Sequence, residues 1–286
     1  MTLPEELTLQ TRYLRLAARA WGPPEGIPVL ALHGWLDNAA SFDALAPLLP
    51  ELRLVALDLT GHGLSEHRPQ GVHYHLADFL PDVLAAADAL GWRRFALLGH
   101  SLGGGLASFM AAVSPERISR VAMIEGLGPP TSNPAEGPTN LRKAIEQMNA
   151  LPAKRPPLYP TREAAVAARC EAGGLARTAA ASLVGRAIQP VGEGYGWRTD
   201  PRLRFMSPFY LSEPQILAYM DHIKAPALLI CGADGYLVKR DYMRERYARI
   251  ADLTVHVLSG GHHPHLEDPE PCARLLGPFF SADHAR

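Results

Sequence analysis

The sequence predicts an α/β protein: a mostly parallel sheet with helices on both faces and a helical insertion between two of its strands. Three observations predict it. Short, nearly continuous apolar runs alternate with segments of helical spacing, which is how strands buried on both faces read. Several of those runs end in Gly-rich turns. The rhythm lapses between residues 127 and 221 and then resumes.

Residues 7–20 alternate loosely and are expected to form two leading strands around a turn. Ile27–Leu32 is a compact apolar run ending in His33-Gly34-Trp35, and residues 54–58 form the next. Residues 76–90 have helical spacing, followed by apolar runs at 95–98 and 120–125. After the interval come a strand at 227–231, a helix over 240–250, a strand over Leu253–Leu258 and a closing helix from Pro271. The interval is rich in Pro, Ala and Arg. Its Leu141, Ile145, Met148 and Leu151 recur at i, i+4, i+7 and i+10, which predicts one buried helix face. The chain therefore divides into a core of residues 1–126 and 222–286 and a helical cap over 127–221. The cap carries 11 Lys+Arg against 8 Asp+Glu, too even a balance to name a substrate by charge.

At 286 residues and 47% hydrophobic content the chain can bury a sizeable core without disulfides or metals. A net charge of −1 and a pI near 6.9 argue against nucleic acid or an anionic membrane surface as partner. Cys170, Cys231 and Cys272 are scattered, and Cys231, in an apolar run, reads as a small buried hydrophobe. The first residues lack the basic stretch and apolar run of a signal peptide, so a cytoplasmic monomer or homodimer is expected. Residues 95–115 contain no Asp, Glu, Lys or Arg and are long enough to imitate a membrane span. The glycines and serine in their middle argue against one.

Those glycines belong to Gly99-His100-Ser101-Leu102-Gly103, where an apolar strand meets a small-residue helix. Such a turn pushes the serine hydroxyl out of the sheet, and the helix points its positive end at it. Serine is a poor nucleophile alone, so it needs a base and the base an orienting carboxylate. Of twelve histidines, His262 lies between the last strand and last helix, at the sheet edge where sites collect. Its neighbours His263 and His265 are expected on a surface loop. No metal is expected, since no cysteine or close carboxylate set completes a coordination shell. Two carboxylates are open: Glu125 ends the strand before the cap, and Asp234 follows the strand ending at Cys231. The backbone N–H groups of Trp35 and Leu102 are the candidate oxyanion donors. The turn containing Asp58, Gly61, His62, Gly63 and Ser65 reads as structural.

With His33-Gly34-Trp35, Asp58-x-x-Gly61-x-Gly63-x-Ser65, the serine turn and Gly261-His262 in this order, the chain resembles the α/β-hydrolase superfamily over nearly its whole length. That resemblance implies an eight-stranded, mostly parallel sheet with an inserted cap. His33-Gly34-Trp35-Leu36-Asp37-Asn38, Ser41-Phe42-Asp43 and Gly235-Tyr236 are similar to the serine hydrolase-like proteins. In the superfamily the acid after the seventh strand usually stands three residues beyond a glycine. Counted from Gly232 that position is Gly235, and Asp234 comes one residue early. Glu125 matches the place after the sixth strand where some haloalkane dehalogenases carry their acid and the mammalian serine hydrolase-like proteins a carboxylate, so the resemblance favours Glu125. Dehalogenase and epoxide hydrolase relatives use an aspartate where this chain has Ser101, which excludes their chemistry. The expected function is hydrolysis of a small ester or thioester through an acyl-enzyme on Ser101, with no cofactor. Its rivals are carbon–carbon bond hydrolysis of a diketone, a cofactor-free haloperoxidase-like activity, and a non-hydrolytic ligand-binding sensor. Trp197, Phe205, Phe209, Tyr210 and Tyr219 are candidates to line a substrate pocket beneath the cap.

Overall fold

A computed structural model describes residues 3–151 and 156–282. The first part runs β1 (Glu5–Gln10), β2 (Arg15–Trp21), β3 (Ile27–Leu32), β4 (Leu52–Leu57), α1 (Phe79–Ala89), β5 (Phe95–His100), α2 (Leu102–Val113) and β6 (Ile118–Ile124). There follow α3 (Gly137–Ala150), β7 (Leu158–Tyr159), α4 (Arg162–Gly173), α5 (Arg177–Ala187), β8 (Ile188–Val191), β9 (Gly194–Trp197) and α6 (Glu213–Asp221). The chain closes with β10 (Ala227–Gly232), α7 (Met243–Arg249), β11 (Leu253–Leu258), α8 (Pro264–Glu267) and α9 (Pro269–Ser281). Eight strands form one sheet in the order β1-β2-β4-β3-β5-β6-β10-β11, antiparallel at β1/β2 and β2/β4 and parallel elsewhere.

The period of two along each strand divides the core between the faces. Leu30, Leu32, Leu97, Val121, Met123 and Leu229 pack with α1, α2, α6 and α7. Val29, Ala31, Leu98, Ala122, Ile124 and Ile230 face the other way, onto α9 and the 3₁₀ turn at Ala39–Phe42. Among the described residues no helix is long and apolar enough to cross a membrane, and the uncharged stretch 95–115 holds β5, the serine turn and α2.

Between β6 and β10 the chain is not purely helical. β7, β9 and β8 form an antiparallel sheet, with β8 and β9 joined by the two-residue turn Gly192-Glu193. With α4 and α5 it builds a separate small core around Ala165, Ala180, Leu183 and Ile188. The last helix of the span, α6, packs instead on α2, with Ile216 and Met220 buried in the main core. In α3 the predicted stripe is displaced: Asn140 and Ala144 are buried while Ile145 is exposed, so the helix is rotated from the face that hydrophobicity alone selects.

The small core is fastened to the sheet by polar side chains. Arg186 of α5 is buried and donates to the fully buried Asp58, at the end of β4, at 2.8 Å; it also reaches Glu6. Asp58 accepts from the N–H groups of Ala39 and Leu64 as well, so one carboxylate ties three segments together. Burial pushes its carboxyl up, against the pull of Arg186 and those amides. Beneath this turn His33 and His62 meet edge to face, ring centroids 4.9 Å apart, both fully buried. Leu59 N–H donates to His33 Nε2, so the proton is on Nδ1, which donates to Gly34 O. Burial lowers His33 to about 4 and His62 to about 3.

Two predictions follow from these buried groups. Arg186→Met leaves a buried carboxylate unpaired and is expected to cost about 3–5 kcal/mol, read as a fall in the denaturant midpoint; Asp58→Asn in the same chain should recover part of it. His33 and His62 stay neutral in the folded chain but take up protons when unfolded below about pH 6.5. Stability should therefore fall as pH drops from about 6.5 toward 4, by about 1.4 kcal/mol per pH unit for each histidine, in denaturation curves measured across that range.

Candidate active site

The C-terminal ends of β3, β5 and β6 and the loop after β11 meet at one edge of the sheet, and each contributes a side chain or amide. Ser101, between β5 and α2, sits at φ +52°, ψ −111°, a conformation costing a residue with a Cβ about 1–3 kcal/mol. Its N–H donates to Ile124 O at 2.9 Å, and Gly103 N–H donates to His33 O at 3.1 Å, pinning the turn to both neighbouring strands. A Cβ on Gly99 would strike the Gly103 carbonyl, and one on Gly103 the Leu32 carbonyl. The two glycines of the motif are thus required by contact.

His262 lies in the loop between β11 and α8. Its Nε2 is 2.9 Å from Ser101 Oγ, and its Nδ1 is 3.1 Å from Glu125 Oε2. A carboxylate accepts only, so the proton is on Nδ1 and the Nε2 lone pair receives the Ser101 hydroxyl. Glu125 is fully buried at φ +50°. Its Oε1 accepts from Gly232 N–H at 2.8 Å, and its Oε2 from Tyr236 N–H at 3.1 Å. The other candidate acid is not part of this line. Asp234 is exposed, and its contacts are through its backbone, to Gly260 O and Lys239 Nζ. The next residue, Gly235, is where a Cβ would run into the Glu125 carboxylate.

Leu102 follows Ser101, and Trp35 lies two residues after His33, whose carbonyl accepts from Gly103 N–H. Leu102 is the first residue of α2, where an N–H has no carbonyl in a preceding turn to bond. The Trp35 N–H meets no backbone acceptor among the described residues. It is held by a turn in which Leu36 takes φ +63° and Asp37 N–H donates to Gly34 O. The Trp35 side chain reaches outward, its indole N–H donating to Leu203 O at 2.9 Å.

His263 and His265 are not on a surface loop. Pro264 opens α8, which carries Leu266 into the small core and turns both rings inward: His263 is 8% exposed and His265 is fully buried. They surround His100, whose ring centroid is 4.9 Å from those of His262 and His263 and 4.3 Å from that of His265. His100 Nε2 donates to His262 O at 2.8 Å, and His265 Nε2 pairs with Ser41 Oγ at 2.9 Å. Burial holds His100 and His265 well below the usual histidine range. Beside them Asp37 is paired with Arg169 of α4 at 2.7 Å.

The aromatic side chains expected to line a pocket are scattered. Trp197 bonds Tyr159 within the small core, Phe205 packs on His73, Phe209 is 77% exposed, Tyr210 is half-buried, and Tyr219 stacks on Phe109 of α2. Among the described residues the non-histidine ring against His262 is Tyr236, at 5.3 Å. Its signal was its place after Gly235. Spacing among aromatic residues could not distinguish pocket from packing.

A family model described as the alpha/beta hydrolase fold matches residues 27–157. A serine hydrolase-like protein of Danio rerio is 32% identical over 96% of this chain and 88% of its own length. A hypothetical protein of Pseudomonas aeruginosa has a crystal structure that superposes with a TM-score of 0.92 at 44% identity, covering 99% of this chain and 100% of that one. The thioesterase domain of the curacin biosynthetic pathway superposes at 0.85 with 26% identity, over 96% of this chain and 99% of that one. Together with the sheet order and the serine turn, these similarities identify the chain as a hydrolase of the α/β-hydrolase superfamily, belonging to the serine hydrolase-like proteins.

Proposed function

We propose that the protein is a serine hydrolase of carboxylesterase type, cleaving a small ester or thioester. The observation that carries this reading is the hydrogen-bonded line Ser101–His262–Glu125, with 2.9 and 3.1 Å between its members. In the proposed reaction Ser101 Oγ attacks the substrate carbonyl as its proton passes to His262 Nε2. Glu125 holds His262 in the required tautomer and stabilises the imidazolium that forms. The N–H groups of Leu102 and Trp35 receive the developing oxyanion. His262 then returns the proton to the departing alcohol or thiol, and the same base activates a water that releases the acid from Ser101. The similarity to a thioesterase domain, together with the bonds from Arg169 and Leu203 of the span between β6 and β10 to the loop carrying Trp35 and Asp37, supports an acyl substrate held under that span as a cap. A binding-only role would not need a buried carboxylate held by two backbone N–H donors behind the histidine.

The test is a panel of p-nitrophenyl esters, acetate to decanoate, with an acyl-thioester series alongside. Ser101→Ala is expected to lower turnover by about 10³-fold or more. No turnover of any ester or thioester by the wild-type chain would overturn the proposal. The acid is tested separately. Glu125→Gln should reduce kcat on the order of 10³-fold with the fold intact by circular dichroism. Asp234→Asn, in solvent, should change it by less than about twofold; the reverse ranking would transfer the role to Asp234.

A further inference from the structure

We propose that His100, His262 and His263 form a binding site for a divalent transition-metal cation of the zinc class, and that filling it withdraws His262 from Ser101. The inhibitory consequence rests on the hydrolase reading above; the binding does not. One ring nitrogen from each of the three histidines lies within 4.8 Å of the other two. His100 supplies a second and independent observation. Its Nε2–H is engaged with His262 O, so Nδ1 carries a lone pair, and that atom is buried with no hydrogen-bond partner among the described residues. It faces Asp37 Oδ2 at 3.9 Å, and His263 Nε2 lies 3.8 Å from the same oxygen. Arg169 is bonded to the other carboxylate oxygen, Oδ1. A lone pair set against a carboxylate oxygen is an arrangement that a cation between them relieves.

The donor set selects the ion. Neutral imidazoles suit zinc, copper and nickel, whereas magnesium and calcium require oxygen-rich shells. Metal-bound histidines commonly give their second N–H to a carboxylate or carbonyl. Two of these rings already do so: His262 Nδ1–H to Glu125 and His100 Nε2–H to the His262 carbonyl. Tetrahedral nitrogen ligands at about 2.0–2.1 Å from zinc stand roughly 3.3 Å apart. The cluster must contract modestly, and the loop carrying His262 and His263 begins at Gly260 and Gly261. The side chain of His262 is 30% exposed, which gives an ion a way in from the open site. Binding needs no redox step: the ion takes lone pairs, and the Ser101 hydroxyl keeps its proton and loses its acceptor.

The experiment uses the full chain, washed free of metal, with Zn²⁺ alone as probe and a chromogenic chelator as competitor. Wild type and Ser101→Ala should each bind one equivalent, since the hydroxyl is not a ligand. His263→Gln should bind at least about tenfold more weakly. In the ester assay Zn²⁺ should inhibit the wild type and a chelator should restore it, while His263→Gln, measured against its own metal-free rate, needs at least about tenfold more Zn²⁺ for the same fractional inhibition. Co²⁺ gives a check without any variant: the wild-type complex should show the visible bands of a nitrogen-ligated, near-tetrahedral ion. Absence of stoichiometric binding, absence of those bands, or unaltered affinity in a folded His263→Gln variant each overturns the proposal. A chain that binds zinc through His263 yet hydrolyses no ester or thioester keeps the metal site and overturns the hydrolase reading.

Discussion

The geometry of the site hangs on the backbone of Ser101, held at a positive φ that its side chain opposes. What holds it is the sheet. Hydrogen bonds run from the turn to the ends of β3 and β6, and the flanking glycines let α2 start almost against those strands. The described residues other than glycine with positive φ are Leu36, Ser101 and Glu125, each just beyond the end of β3, β5 or β6. Three adjacent strands thus end in strained residues around one point. Strain of this kind persists only where surrounding structure over-determines it, and a sheet buried on both faces does so.

The span between β6 and β10 is joined to the rest of the chain by polar contacts as well as by the apolar packing of Leu203, Ile216, Met220 and Leu266. Arg186–Asp58, Arg169–Asp37, Trp35–Leu203 and the Asn38 side-chain amide on Leu183 O join it to the loops that follow β3 and β4. The same loops position Trp35 and Asp37. Displacing these contacts would consequently disturb the loops, because a buried charge left without its partner is costly.

Much of this architecture was legible in the sequence. Apolar runs buried on both faces announced the strands, and contact-enforced glycines announced the serine turn. Glu125 was legible through its place at a strand end, but choosing it over Asp234 required resemblance, because periodicity cannot tell which way a side chain turns one residue past a strand. The small antiparallel sheet was harder: β7 has two residues and β8 and β9 four each, too short for alternation to declare itself. The face of α3 was misjudged because a polar residue, Asn140, bonds Ser132 and takes an inward position that hydrophobicity assigns elsewhere. The burial of His263 and His265 goes with Leu266 docking into a core built from residues between Ala165 and Ile188, a non-local cause with no local signature.

Gly235 gives the position of the Glu125 carboxylate a consequence for how the site can change. The space that a side chain at 235 would occupy is filled by the Glu125 carboxylate, so the two positions compete for a single volume beside the histidine. A Cβ at 235 must push that carboxylate aside, so the effects of substitutions at 125 and 235 are expected not to add. A side chain at 235 would thus reach His262 indirectly, by shifting the oxygen that bonds its Nδ1.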